Sequence, residues 1–593
     1  MSQKSGTFTR GSQISMHAIR MLGQGIRVLV IGALSAAFLW FAIRAFQMVK
    51  VMDLYYGTMH AYMETKLTLK HIFFERSSST TWMYSLKYGT WKHVDTYVFL
   101  KNFWHSSHGH RLLTFCDWVQ KEALKEVVLA SLVVSSGLFV SFKLKGRKSM
   151  TRKKERGATL VSEQQLAKLS KSKGGKHPLY IGEVPLEEGA ENQHFLITGT
   201  TGSGKSNLLN QLLPQIRNRG DRALIVDLTG DFVARYFDET KDKILNPFDV
   251  RTVHWTPWAD IRQESGYDVL AKALVGESSL SDRFWDEGAT DIISESLKKL
   301  GAEANPSLQD LTRLFGVAEY ADYAKFFEGT SVHSLTDVKG ERTTQSLRMN
   351  AAKAIKPLNL LDEGIDPFSI QDYLLDETEK GWLFLSALPH QRESLKPLLS
   401  TWIETGVSSI LQRSPIQGKK RQKNIWVILD ELPALGQIPS LKTALSESRK
   451  YGGCIVATIQ NIWQMKNTYN QMGGMDLLDQ FNTRALFRVG DQQTAEYMAR
   501  MLGTEEIREN QESLSYGANT MRDGVNINNI ERSRPLVLPS ELMGLNTFEF
   551  FLKMGGSIPA ARIKNKLFKG KTIAKAFTPK TLVPVALTEK EKT

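Results

Sequence analysis

His194 to Thr198 reads HFLIT, Gly199 to Ser206 reads GTTGSGKS, and Asn207 to Gln215 continues as NLLNQLLPQ. A short apolar run, a glycine-rich turn and then leucines at Leu208, Leu209, Leu212 and Leu213 predict a buried strand, a loop and a helix in immediate succession. The loop fits the phosphate-binding pattern of glycine, four residues, then Gly-Lys-Ser, and its residue types have a chemical reason. Gly199, Gly202 and Gly204 let the backbone curl with amide hydrogens turned toward phosphate oxygens, at a helix N-terminus whose dipole favours anions. Lys205 is placed to reach the β- and γ-phosphates, and the Ser206 hydroxyl to ligate magnesium. Gly199, Thr200, Thr201, Gly202, Ser203, Gly204, Lys205 and Ser206 are therefore the expected nucleotide cradle, with ATP and Mg2+ as its cofactors.

A cradle of this kind needs acids on a neighbouring strand. Ile425 to Leu429 (IWVIL) is a continuous apolar run ending in Asp430 and Glu431. Asp430 would hold magnesium through its shell, and Glu431 would orient and deprotonate the attacking water. Another acid, Asp227, follows the apolar run Ala223 to Val226 and reads as a strand-end residue near the phosphates. The Asp-x-x-Gly at 227 to 230 imitates a guanine-nucleotide switch, but the sequence contains no Asn-Lys-x-Asp for reading the base. Farther on come Glu447, Arg449, Lys450 and Tyr451, then the apolar strand Cys454 to Ala457, then Gln460. A polar residue at the end of that strand can contact the γ-phosphate and report hydrolysis. A guanidinium at 449 could complete a neighbouring subunit's site, and on spacing alone a solvated helix-end arginine is the plainer reading.

Strands and helices alternate around these motifs, which predicts a parallel α/β sheet. Residues 262 to 376 break the alternation with successive helical patterns and read as an inserted all-α domain, where Ser307 and Asp310 resemble a capping pair. Strand and helix patterns resume at Gly381 to Pro389 and Ser394 to Leu411.

Composition narrows the class further. Apolar residues are 42% and charged residues 23% of 593, which excludes whole-chain disorder, collagen and coiled coil. The mean hydropathy of −0.26 excludes a many-span transporter. Cys116 and Cys454 are the two cysteines, too few for a disulfide scaffold or a four-cysteine zinc module. The net charge of +14 is concentrated: residues 1 to 50 carry six Lys/Arg and no acid, and 143 to 156 carry eight Lys/Arg against Glu155. The 437 residues from Gly157 onward are close to neutral.

Those basic clusters flank two uncharged runs of 16 residues, Val28 to Ile43 and Val127 to Phe142. Each covers roughly 24 Å, and Arg27, Arg44, Lys125 and Lys143 can snorkel to extend them across a bilayer. The expected spans are about 26–46 and 125–143, with both termini cytoplasmic because positive flanks stay on that side. Residues 47–126 form an aromatic-rich outer loop, in which His105, His108 and His110 are close enough to suggest metal ligands but lack a carboxylate or second cluster. Residues 143–176 read as a basic tether. Arg562, Lys564, Lys566, Lys569, Lys571, Lys575 and Lys580 form a basic C-terminal stretch suited to phosphate or anionic lipid.

Two N-terminal spans, GTTGSGKS, VDLTGDF, ILNPFD (Ile244 to Asp249), FWDEGA (Phe284 to Ala289), WVILDELP, ESRKYGG and ATIQ, in that order, resemble the coupling proteins of type IV secretion, the TraD-like conjugative DNA pumps. The resemblance implies a RecA-like P-loop motor at 177–261 and 377–560 with an all-α insertion at 262–376, preceded by a two-span transmembrane hairpin within 1–142 and followed by a tail at 561–593. It implies a hexameric ATPase of the bacterial inner membrane that passes relaxase-bound single-stranded DNA from a relaxosome toward a secretion channel. It assigns Gln460 to the sensor position and Arg449 to an arginine acting across subunits. The alternatives are a membrane receptor that docks protein substrates and assembles with nucleotide, and an FtsK-like pump of double-stranded DNA. Long members of the family continue into an acidic tail that docks relaxosomes, whereas this sequence has a basic stretch there.

Overall fold

The computed structural model describes residues 2–580 apart from 74–79, 86–89, 151–152, 174–177, 277–282, 338–340, 365, 416–422 and 516–523. The parts of the expected tether at 151–152 and 174–176, and of the C-terminal tail at 581–593, lie outside the described residues. Two units are distinguished, one of residues 1–153 with 509–530, the other of 154–508 with 531–593.

The second unit is built on ten strands: β1 (Leu160–Ser162), β2 (Phe195–Thr198), β3 (Arg222–Asp227), β4 (Lys243–Leu245), β5 (Trp382–Ser386), β6 (Ile425–Leu429), β7 (Gly453–Ile459), β8 (Thr483–Phe487), β9 (Glu549–Lys553) and β10 (Ala560–Lys564). Their order across the sheet is β1-β10-β9-β8-β2-β7-β6-β3-β5-β4. From β8 to β4 every pairing is parallel. The expectation of a wholly parallel sheet fails at β8, β9 and β10, which pair antiparallel. The short link Met554 to Pro559 between β9 and β10 cannot hold the crossover helix a parallel return requires.

Both faces of the sheet are buried, which is why its strands are continuous apolar runs rather than alternating ones. One face, with Ala223, Ile225, Phe384, Trp426 and Val456, packs on Leu208, Leu209, Leu212, Leu213 and Ile216 of the helix Lys205–Asn218. The other, with Leu224, Val226, Leu385, Val427 and Ala457, packs on the helix Arg392–Leu411 and on the helices between β4 and β5. Those include Ser265–Val275, Arg283–Gly301, Leu308–Gly316 and Glu341–Ile355. Ser307 caps the third of them, accepting the Gln309 and Asp310 amides.

Two segments differ from their sequence reading. Within the stretch that reads as tether, residues 160–171 are ordered into the domain: β1 adds to the sheet edge beside β10, and Ser162 and Gln165 form a capping box for the helix Glu163–Lys171, which buries Leu166. Arg562 and Lys564 belong to β10 rather than to a tail, and Arg562 pairs with Glu549 at 2.6 Å. The chain beyond β10 is a strap held by its backbone. The Lys566 carbonyl accepts from Asn207 at 2.9 Å and Gln211 at 2.6 Å, Ile573 donates to Ala234 at 2.8 Å, and Arg251 donates to the Lys575 carbonyl at 3.0 Å. Lys566, Lys569, Lys571 and Lys575 remain exposed, and Lys580 pairs with Asp362.

In the first unit, the helices Ser2–Met48 and Ala123–Met150 contain the segments Leu22–Met48 and Ala123–Lys145, each long and apolar enough to cross a membrane. Arg44 does not simply snorkel: its guanidinium forks onto Glu126 of the other helix at 3.0 and 3.2 Å, and Trp40 donates to the same carboxylate. Between them lie the helix Val51–Phe73, a strand pair Thr80–Ser85 and Thr90–Asp95, and the helices Thr96–Phe103 and Ser107–Lys121. His108 turns its Nδ1 onto the buried Asp53, which Arg111 also holds at 2.5 and 2.7 Å, while His105 and His110 are exposed. Arg111 and His108 together hold the Asp53 carboxyl well below the usual carboxylate range. No group of His, Cys, Asp or Glu suited to a metal ion occurs among the described residues.

Candidate active site

Because β2, β3, β6 and β7 are parallel neighbours, their C-terminal ends lie on one edge of the sheet. Register pairs Ile459 with Thr198, Leu429 with Ala457 and Leu429 with Val226. Asp227 ends β3, and Gly199, Asp430 and Gln460 directly follow β2, β6 and β7, so four segments spread over more than 260 residues of sequence meet there.

The loop after β2 is held from both sides. Gly199 donates to the Ile459 carbonyl at 3.1 Å, Thr200 donates to the Arg488 carbonyl at 2.9 Å, and Phe548 donates to the Ser203 carbonyl at 2.9 Å. Gly204, with φ of 118°, sits where a Cβ would lie 2.9 Å from the Phe548 ring and 3.2 Å from Phe487. The curl thus depends on glycine both for its dihedral and for the close approach of two aromatic rings. Lys205 opens the following helix, and its Nζ donates to the Gly199 carbonyl at 2.5 Å and the Thr200 carbonyl at 3.2 Å. Burial pushes the Lys205 ammonium down, opposed by the charges of Glu431 and Asp430. Ser206 is exposed beside it.

The acids opposite form a connected set. The Thr458 hydroxyl accepts the Glu431 amide at 2.8 Å and donates to Asp430 Oδ1 at 3.2 Å. Gln460 Nε2 donates to Glu431 Oε2 at 2.8 Å, and Gln460 Oε1 accepts from the Thr201 hydroxyl at 3.4 Å. Glu431 itself sits at φ 60°, a left-handed conformation rare for a residue with a Cβ and concentrated at functional sites. Burial, the neighbouring Asp227 charge and the Glu431 charge push Asp430 up to about 6. Burial pushes Glu431 up as well, opposed by Gln460, Lys205 and Arg392.

Asp227 is at the site, but its oxygens are already engaged. Oδ1 accepts from the Thr229 and Gly230 amides at 3.0 and 2.7 Å and Oδ2 from Val233 at 2.8 Å, so it shapes the turn into the helix Asp231–Tyr236. Arg449 is not brought to this edge. It lies exposed in the turn Ser448–Tyr451, just before β7 begins. Seven residues of β7, at about 3.3 Å each, put roughly 20 Å between that turn and Gln460.

Sequence reading missed several residues here. Thr458, two positions before Gln460, ties both acids, and the sequence marks it only as a letter of ATIQ, past the apolar run Cys454 to Ala457. Arg392, at the start of the helix after β5, donates to the Leu228 carbonyl at 2.5 Å and acts by charge on Glu431. Phe487, at the end of β8, and Phe548, just before β9, wall the loop and carry no local signal.

The donor set fits a magnesium nucleotide. Glu431 Oε1 is a buried carboxylate oxygen without a hydrogen-bond partner among the described residues, Lys205 and Asp430 face the same space with opposite charge, and the glycines leave room for phosphate.

A family model described as the type IV secretion-system coupling protein DNA-binding domain matches residues 178–566. The coupling protein TraD of Escherichia coli strain K12 is 29% identical over 481 residues, covering 79% of this chain and 66% of TraD. The protein VirD4 of Rhizobium radiobacter is 24% identical over 510 residues, covering 80% of this chain and 72% of VirD4. Among solved structures, the plasmid coupling protein TrwB in complex with ADP and Mg2+ is similar with a TM-score of 0.64 and 26% identity, over 73% of this chain and 98% of that one.

Proposed function

Because this chain belongs to the type IV secretion-system coupling proteins, we propose that it is a membrane-held ATPase that draws relaxase-bound single-stranded DNA toward a secretion channel during conjugation. The observation that carries this reading is the meeting of Lys205, Asp430, Glu431 and Gln460 at one sheet edge, with a phosphate cradle between them. Lys205 and the amides of 199–206 would bind the phosphates, and Ser206 and Asp430 would hold magnesium. Magnesium held there would supply neutralisation of phosphate charge. Glu431, raised by burial and fixed by Gln460, positions a water and takes its proton. Gln460 links the base to the loop through Thr201, so a change at the phosphates reaches Glu431 directly.

The chain works as a homo-oligomeric ring, a hexamer, whose neighbouring subunit supplies Arg449. The roughly 20 Å of β7 between the Arg449 turn and Gln460 supports a role across the interface. The segments Leu22–Met48 and Ala123–Lys145, each long and apolar enough to cross a membrane, support an inner-membrane location, and the basic clusters beside them support cytoplasmic termini. Its partners are then single-stranded DNA, relaxase and other relaxosome proteins, and the secretion channel.

The test is the ATPase rate of the detergent-extracted ring with and without single-stranded DNA. Stimulation by DNA is expected. A ring that hydrolyses ATP at one rate whether or not DNA is present would favour instead a receptor that docks protein substrates.

A further inference from the structure

The segment directly after Gln460 carries an exposed face whose chemistry suits unpaired bases. Asn461 caps the helix Ile462–Tyr469, with its side chain accepting the Gln464 amide at 3.0 Å. Trp463 stands out from that helix, 46% exposed, and Lys466 lies one turn on with its ammonium 4.7 Å from the indole centroid. Asn470, at φ 57°, turns the chain into the helix Gln471–Asp479, where Met472 is 84% exposed. The 15 residues from Asn461 to Met475 contain no Asp or Glu, and five of them are Asn or Gln. The next acid, Asp476, is paired with Lys442 at 2.7 Å.

Trp463 and Met472 are both uncovered, on consecutive helices. A flat indole under a cation, in a stretch of chain rich in amides and without acids, suits a sequence-tolerant single-strand site. Bases stack on the ring, the ammonium meets phosphate, and the amides can hydrogen-bond base edges without repelling the backbone. The body from Gly157 onward is near neutral, so a grip on polyanion has to come from local residues of this kind.

The back of the same helix is fastened to the segment that follows the catalytic acids. Thr468 donates through its hydroxyl to the Pro433 carbonyl at 3.3 Å, and its own carbonyl accepts from Gln437 at 2.7 Å. Ile438 donates to the Tyr469 hydroxyl at 3.2 Å. The helix is thus tied to Gln460 at one end and to residues 433–438, just beyond Glu431, along its back. Any shift in the Glu431–Gln460 contact is passed to the exposed ring from two directions.

We propose that Trp463, with Lys466, is a base-stacking contact for single-stranded nucleic acid that moves with the hydrolysis site. This rests on the motor reading above. The experiment uses the full detergent-extracted chain, a fluorescent oligothymidylate and a non-hydrolysable ATP analogue, with binding followed by anisotropy. Trp463→Ala is expected to weaken binding roughly 5- to 150-fold, while Trp463→Phe, which keeps a ring, retains most of it. Lys466→Glu is expected to weaken binding and flatten its dependence on salt. In Trp463→Ala the basal ATPase rate and ring size stay as in the unsubstituted protein, and stimulation by DNA is lost. If the unsubstituted chain binds the oligonucleotide and Trp463→Ala binds it equally well, this inference falls and the motor reading stands. If Trp463→Ala dissolves the ring, the face is a contact between copies of the chain and the inference falls. If the unsubstituted chain binds no oligonucleotide at all, both readings fall together.

Discussion

Gln460 Nε2 and Glu431 Oε2 stand 2.8 Å apart, with the Gln460 amide donating and the carboxylate accepting. The contact leaves Glu431 Oε1 as a buried oxygen with no partner among the described residues, the oxygen able to take a proton from water. Two substitutions separate the roles. Glu431→Gln keeps shape and removes basicity, so it should bind a non-hydrolysable ATP analogue normally and lose about 10²- to 10⁴-fold in turnover. Gln460→Ala frees the base without removing it, and is expected to lower kcat by about tenfold or more with little change in nucleotide affinity. Single-turnover hydrolysis alongside equilibrium nucleotide binding measures both. A Glu431→Gln variant that still turns over rapidly would take Glu431 out of the base role.

The two glycines of the cradle with positive φ make different demands. At Gly202 (φ 74°) an added Cβ has nothing within 4 Å, whereas at Gly204 (φ 118°) it meets Phe548 at 2.9 Å and Phe487 at 3.2 Å. Gly202→Ala should therefore cost only the left-handed backbone penalty of about 1–2 kcal/mol. Gly204→Ala adds a steric term against rings anchored in β8 and beside β9, and is expected to cost more than Gly202→Ala and to displace the loop. Thermal unfolding of the pair, followed by nucleotide binding, tests the order. Equal losses would mean that the Phe548 ring gives way freely.

How much of this was legible follows from where each signal resides. The loop, the acid pair and Gln460 each terminate an apolar strand, so local pattern located them, and parallel topology then guaranteed that strand ends share an edge. Thr458 and Arg392 act through hydrogen bonds and charge that exist only after the strands align, so nothing in their own neighbourhood marked them. The antiparallel β8-β9-β10 corner and the strap that follows it were illegible for a related reason. Lys566, Gly570 and Lys575 are held by their carbonyls, and a backbone contact leaves no trace in side-chain composition. Asp227 was legible as a strand-end acid, but its commitment to three backbone amides appears only once the turn after β3 is formed.

His194 gives the motor core an acid-sensitive stability. It precedes β2 at φ 61°, is buried, and its Nδ1 accepts the Ile455 amide at 3.1 Å, so the neutral ring is the one that fits. Burial pushes its pKa down to about 4 from 6.5. A base whose folded pKa is lowered binds protons less well folded than unfolded. Its stabilising share is therefore complete above about 6.5 and is lost as pH falls toward 4, with a slope of about 1.4 kcal/mol per pH unit. His194→Asn, which tolerates the left-handed conformation and can still accept the Ile455 amide, should flatten the stability profile between pH 6.5 and 4. Melting temperatures of the two proteins across that window provide the check, and parallel profiles would refute the assignment.

Arg449 offers the sharpest test of assembly, because its own cradle is out of reach. The turn Ser448–Tyr451 is fixed rather than loose: the buried Arg413 donates to the Tyr451 carbonyl at 2.7 Å, and Asn192 donates at 3.4 Å to the carbonyl of Gly453, where β7 begins. A guanidinium presented from a fixed turn at the far edge of the sheet can stabilise transition-state charge only in a neighbouring subunit. Arg449→Ala alone should hydrolyse ATP slowly, and so should Lys205→Ala, which lacks a phosphate contact. In mixed rings, a cradle with an intact Lys205 can face an intact Arg449 donated from a Lys205→Ala neighbour. Mixing the two inactive proteins is therefore expected to restore a fraction of activity that peaks near equal amounts. The control is a ring mixed from Lys205→Ala and the double variant Lys205→Ala/Arg449→Ala, which contains no intact cradle and should stay inactive. Absence of any recovery at all mixing ratios, in rings shown to exchange subunits, would place Arg449 outside the hydrolysis site altogether.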